Sequence, residues 1–281
     1  MQTEAEYAKQ HYETGDYANA MHIVESALTR DPDNPSALAL RGQILMKQEK
    51  IVSAVDAFER AGLIHPLSVE ASIALAIGYG KLGRNSLSRD LLLSITESQR
   101  LNADFSIDVA EGLVVAGFPE EAFQVCKRAS RRSPLSAELP YHAGYYAALS
   151  GAPAQVIESC IRHAIQLWPD NFHYRVGLAS FLSNTDRNRD AITELNTIVP
   201  TRLAEITCHC CLKRMANLFF DNDLLEQAEQ CAIQLAKQRL TETPTCSATA
   251  PQRGSNEPNA HTKIVQNHDC TSSPVASPKS K

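Results

Sequence analysis

Gly15-Asp16-Tyr17-Ala18-Asn19-Ala20, followed by Ala27-Leu28 and Asp31-Pro32-Asp33-Asn34, is the stretch from which the fold can be read. Between Gly15 and Asn34 the apolar residues fall at helical spacing. A glycine-marked turn stands at one end and a proline at the other. The same arrangement returns one step later, with Ala54, Phe58, Ala61 and Pro66. A column of small residues runs through Ala8, Gly42, Ala76, Ala110, Gly144, Ala179 and Ala216, at spacings of 34, 34, 34, 34, 35 and 37. A second column takes the same steps through Ala20, Ala54, Ser88, Ala122, Ile157, Ala191 and Ala228. A third passes through Ala27, Ala61, Ile95, Ala129, Ala164, Ile198 and Leu235. Five residues beyond the third column stand Pro32, Pro66, Pro134 and Pro169. Periodicity of this length marks a repeat architecture.

Each unit reads as a helical hairpin, helix A and helix B, joined at a turn carrying Gly15, Gly83, Gly117 or Gly151. Small residues in the columns let the two helices approach, since a larger side chain would strain the packing by ~1–3 kcal/mol. Proline ends helix B because it has no amide hydrogen and disfavours helical geometry in the residue before it. Pro-Asp-Asn at 32–34 and 169–171 then supplies turn and N-cap chemistry for the next unit.

On these residues the sequence resembles the tetratricopeptide repeat, a 34-residue helix-turn-helix, over about 240 of the 281 positions. The resemblance predicts an all-α, right-handed superhelical solenoid of antiparallel helix hairpins. Its seven repeats fall at 1–34, 35–68, 69–102, 103–136, 137–171, 172–205 and 209–242. The third lacks the proline, having Arg100, and the sixth has Pro200 early; the geometry of those two joints is the least determined.

The resemblance implies a scaffold or adaptor that binds a protein or peptide segment on the concave face lined by the A helices. A regulatory or targeting subunit of an enzyme complex is the alternative. The family's carboxylate clamp for chaperone C-termini needs basic and Asn side chains on successive A helices, and that pattern is absent. The expected groove instead runs from apolar Leu40, Ile73 and Ile77 to acidic Asp104, Asp108 and Glu111. It continues to Tyr141, His142 and Tyr145, and then to Lys213, Arg214 and Asn217. A ligand with an apolar anchor and a basic middle would complement this order.

Composition agrees with a helical scaffold and narrows the rest. The chain is 43% apolar and 21% charged, with 12 glycines and 6% aromatics, which favours packed helices over a glycine-punctuated barrel. Its net charge of −5 argues against a nucleic-acid partner. Apolar runs are too short for membrane insertion, and Met1 leads into a polar stretch without a secretory pattern. Eight dispersed cysteines point to a reducing, cytoplasmic setting. From Thr241 onward the chain has no leucine and no aromatic but five prolines, and it is expected to be a disordered tail. That tail carries a net +1, which leaves −6 on the repeats.

Two motifs could suggest chemistry. Gly78-Tyr79-Gly80-Lys81-Leu82-Gly83 fits a phosphate-cradling G-x-G-x-x-G, but a dinucleotide site needs a preceding strand, and these residues fall on the repeat columns. Cys208-His209-Cys210-Cys211 is the densest group of metal-capable side chains. Cys208 and Cys211 would share a helical face, but Cys231 is the nearest further candidate and a structural site needs four ligands. Buried thiols acting as small apolar groups are the expected role, so no metal, no cofactor and no catalytic residue is assigned.

Overall fold

The computed structural model describes residues 4–98 and 101–241. Among them there are fourteen α-helices, one short 3-10 turn and no strand. The expected tail from Thr241 lies outside the described residues, apart from Thr241 itself, the last residue of the last helix. Two compact units divide the chain, Met1–Pro134 and Leu135–Lys281.

The first unit holds four hairpins. Their A helices are α1 (Glu4–Glu13), α3 (Pro35–Lys47), α5 (Val69–Lys81) and α7 (Ala103–Val115). Their B helices are α2 (Tyr17–Arg30), α4 (Ile51–Ile64), α6 (Asn85–Ser98) and α8 (Pro119–Arg132). Each A helix packs on its own B helix, and each of α2, α4 and α6 also packs on the following A helix. Successive A helices touch one another, whereas successive B helices have no comparable contact. The A helices are therefore the more closely spaced row and form the inner side of this unit.

Local chemistry sets the boundaries. Asn34, Ser68 and Asn102 cap α3, α5 and α7, each accepting a hydrogen bond from the backbone N–H three residues on at 3.0, 3.2 and 2.8 Å. Helices α2, α4 and α8 stop two residues before Pro32, Pro66 and Pro134. The column residues Ala8, Ala20, Gly42, Ala54, Ala61, Ala110, Ala122 and Ala129 are buried, and Ala27 is half-buried. At Gly42 an added Cβ would lie 2.7 Å from the Phe58 ring, so the hairpin of α3 and α4 closes only because that position has no side chain.

One more column emerges from the backbone. The turns between helices A and B place Gly15, Glu49, Gly83, Gly117, Gly151, Asp186 and Asp223 at φ of +81°, +59°, +75°, +89°, +75°, +60° and +60°. Their spacings are again 34, 34, 34, 34, 35 and 37. A left-handed residue closes every hairpin, and three of the seven are not glycine.

The second unit holds α9 (Glu138–Leu149), α10 (Ala154–Leu167), α11 (Phe172–Asn184), α12 (Asn188–Asn196), α13 (His209–Phe220) and α14 (Leu225–Thr241), paired in the same way. Helix α12 has 9 residues where α10 has 14. The chain after α12 passes a cis Val199–Pro200 bond and the 3-10 turn Leu203–Glu205 before α13 begins.

Gly78 and Gly80 are buried within and near the end of α5, so the G-x-G-x-x-G pattern is helix and turn, with no strand before it.

Candidate functional site

Asp104, Asp108 and Glu111 stand at positions i, i+4 and i+7 of α7, on one face of an A helix. All three are exposed. The protein around Asp108 and Glu111 nonetheless desolvates their carboxyls and raises both pKa values. Asp104 raises Asp108 further and Asp108 does the same to Glu111, while Lys47 partly offsets the effect at Asp108. Among the described residues no salt bridge engages any of the three. Other carboxylates are tied down by arginines: Glu121 by Arg89 at 3.0 Å, Glu59 by Arg84 at 3.4 Å, and Glu158 by Arg162 on its own helix and by Arg187 at 2.9 and 2.6 Å. The α7 face is thus an accessible, self-repelling concentration of negative charge on the inner row.

The apolar start of the expected groove lies mostly in the interior. Leu40 packs in the core with Ala8, Ala20, Val24, Ala37 and Ile44, and Ile73 is 4% exposed. Ile77 is half-buried, its Cγ1 3.1 Å from where a Gly112 Cβ would sit. These side chains fill the gap between successive A helices, because that row packs tightly enough to cover residues on adjoining faces. Leu40 and Ile73 therefore offer almost no surface to a partner.

In the second unit, the Tyr141 ring lies over Gly177, where a Cβ would come within 2.5 Å of its hydroxyl. It also stacks against Tyr174 and His173, with centroids 4.6 and 5.2 Å away. Burial pushes the Tyr141 phenol well above its ordinary range. His142 is buried and faces the Tyr146 hydroxyl at 3.5 Å. Both residues do packing work that the sequence reading assigned to a groove. Tyr145 remains half-buried, edge-on to Tyr146 at 5.1 Å. On α13, Lys213 and Asn217 are exposed and Arg214 is half-buried near Tyr141 and Cys211.

The cysteine cluster is built differently from the sequence expectation. Cys231 is buried and takes no part; the fourth group is His173, at the start of α11. Cys208 is the N-cap of α13, its sulfur accepting from the Cys211 N–H at 3.4 Å. His173 Nδ1 lies 3.4 Å from Cys211 Sγ, and the Cys208 and Cys210 sulfurs are 2.8 Å apart. A hydrogen bond from the Cys211 thiol, with help from His173 and the backbone, pulls the Cys208 thiol far below its usual range; Cys211 is pushed up in turn. By contrast, burial raises the thiols of Cys126 and Cys231, as expected for small apolar core residues.

The hairpin period and the turn column can be compared with known proteins. Residues 11–76 match the sequence model of the tetratricopeptide repeat family. The chain folds as a tetratricopeptide-type solenoid of helical hairpins. The solved structure of a tetratricopeptide repeat protein from Parabacteroides merdae superposes with a TM-score of 0.60 at 14% identity, covering 86% of this chain and 93% of that one. The pilF protein of Pseudomonas aeruginosa gives 0.50 at 17% identity, covering 74% of this chain and 93% of that one. At such identities the likeness concerns the fold of the tetratricopeptide array alone. No curated protein matches the sequence significantly. Tetratricopeptide arrays support protein–protein interaction and are generally not catalytic. No described helix of this one is long and apolar enough to cross a membrane.

Proposed function

We propose that this tetratricopeptide-repeat protein is a non-catalytic, cytoplasmic scaffold or adaptor that holds a basic protein segment against the inner face of its first unit. The observation that carries this reading is the α7 triad of Asp104, Asp108 and Glu111. Like charges one helical turn apart, with Asp108 and Glu111 desolvated and no salt bridge to the triad among the described residues, cost folding free energy. A cationic ligand removes that cost, so the face gains more from a Lys- or Arg-rich segment than scattered surface carboxylates would. The repeats lack both the cationic pattern of the chaperone clamp and the positive charge of a nucleic-acid surface.

The test is fluorescence anisotropy with labelled peptides that carry a Lys/Arg-rich centre, an acidic counterpart of each serving as control. The basic peptides are expected to bind more tightly, with affinity falling as salt rises. Asp108→Lys should then weaken binding by at least ~1 kcal/mol, about fivefold, without loss of helical circular dichroism. Equal binding of acidic and basic peptides, or binding indifferent to Asp108→Lys and Glu111→Lys together, refutes the assignment.

A further inference from the structure

The tetratricopeptide reading leaves unexplained why three cysteines and a histidine meet at the joint between the sixth and seventh hairpins. One ligand atom from each of His173, Cys208, Cys210 and Cys211 lies within 4.8 Å of all the others. We propose that, in the reduced chain, these four side chains bind a single structural Zn²⁺ that staples the first turn of α11 to the first turn of α13.

The donor set is the first support. Three thiolates and an imidazole make a closed four-ligand site of the kind that holds structural zinc, and their softness disfavours Mg²⁺ or Ca²⁺. The spacing is the second. A tetrahedral ion with Zn–S of about 2.3 Å keeps its sulfurs roughly 3.8 Å apart, inside the 4.8 Å envelope. The Cys208–Cys210 pair, now at 2.8 Å, has to open by about 1 Å to reach that spacing.

Placement is the third. The last repeat step is 37 residues, so His173 and Cys210 are equivalent positions on adjacent A helices, which the solenoid brings face to face. Cys208 occupies the cap position that Asn34, Ser68, Asn102 and Asn171 fill elsewhere. Sulfur is a weaker acceptor than those oxygens, so capping alone does not account for a cysteine there. Packing alone does not account for it either: His173, Cys208 and Cys210 are only half-buried, unlike Cys126 and Cys231.

The joint also has use for a staple. Helix α12 is five residues shorter than α10, so less B helix is available to hold the seventh hairpin to the sixth. Arg214 stands one turn along α13 from Cys210, where its charge would offset the net negative charge of a zinc with three thiolates.

Cys210 is disulfide-bonded in this structure, so its thiolate joins the set only after reduction. A dithiol reductant gives two electrons to that disulfide and becomes a disulfide itself, leaving Cys210 and its former partner as thiols. Each ligating thiol then loses its proton to solvent as its Zn–S bond forms. The site is thereby confined to reducing conditions.

Full-length protein, reduced with a phosphine and stripped with a chelator, is titrated anaerobically with Co²⁺ and then with Zn²⁺. The expected result is one Co²⁺ per chain, with the strong visible absorption of a tetrahedral site and a sulfur-to-cobalt charge-transfer band. One equivalent of Zn²⁺ should abolish both and raise the melting temperature. Without reduction the bands should be absent. His173→Ala and Cys210→Ser should each lose tenfold or more in affinity while keeping the wild-type helical circular dichroism. Cys246→Ser/Cys270→Ser, which replaces the two cysteines beyond the described residues, should keep the spectrum. The proposal fails if the reduced chain gives no thiolate-to-cobalt band, or if the unreduced chain gives the full one. It also fails if folded His173→Ala and Cys210→Ser bind like wild type, or if the bands vanish in Cys246→Ser/Cys270→Ser.

Discussion

Gly42→Ala adds one methyl group where two helices meet, and the structure fixes what that methyl encounters. The Cβ would stand 2.7 Å from Cε1 and 2.8 Å from Cδ1 and Cζ of Phe58, about 1 Å inside ordinary carbon contact. Phe58 is fully buried among Leu45, Ala54, Val55, Ala71 and Leu75, so the ring moves only by displacing them. Overpacking of this kind costs ~1–3 kcal/mol. Replacing glycine by alanine inside a helix returns about 1 kcal/mol. The net expectation is a loss of about 1 kcal/mol, or roughly 3–4 °C in melting temperature for a unit of this size. Gly62→Ala, on α4, is the internal control. Its Cβ would meet Leu67 at 3.6 Å, an ordinary contact, so only the propensity gain remains and the variant should be stabilised by ~0.5–1 kcal/mol. Differential scanning calorimetry on both variants reads opposite signs if the register is right. In a Phe58→Leu background the cost of Gly42→Ala should shrink by at least ~0.5 kcal/mol. A Gly42→Ala protein that melts at or above wild type refutes the close approach of α3 and α4.

The turn column gives a second pair: Glu49→Gly should raise stability and Gly83→Ala lower it, each by about 1 kcal/mol in chemical denaturation, because both positions hold left-handed backbone. Equal stability of Gly83→Ala and wild type would contradict it. A third prediction concerns pH. The folded-state pKa values of Asp108 and Glu111 are raised, so protonation favours the folded form, and stability from these groups falls as pH climbs from the ordinary carboxylate range through the folded values. Asp108→Asn should therefore melt higher than wild type at pH 7, the gap closing as pH is lowered below that window, while binding to basic peptides weakens. A gap that widens on acidification reverses the sign and removes the argument.

The period was legible because the columns that set it are occupied by few residue types. Small residues at Ala20, Ala54 and Ala122, with prolines past the B helices, leave little choice about where helices touch and stop. The left-handed turn was legible only at its four glycines. Asp186 and Asp223 belong to a residue type enriched in that backbone region, a weaker signal than glycine, and the Glu49 side chain announces nothing.

Groove and core were harder to separate, since a residue's helical face says which neighbour it points toward and not how closely that neighbour approaches. Leu40 and Ile73 share the A helices with Asp108, yet tight stacking of the inner row covers them and leaves the carboxylate open. Charge made the difference: a desolvated acid has to keep water or a cation within reach, whereas leucine can be covered completely. The cysteine cluster failed to emerge for another reason. A search outward from Cys208 along its own hairpin finds Cys231, because sequence proximity favours the partner helix. In a solenoid the nearer neighbour is the equivalent residue one repeat back, and stepping 37 positions from Cys210 lands on His173. Metal-capable side chains in repeat proteins are therefore better sought at offsets of one repeat than at the short spacings of a single loop.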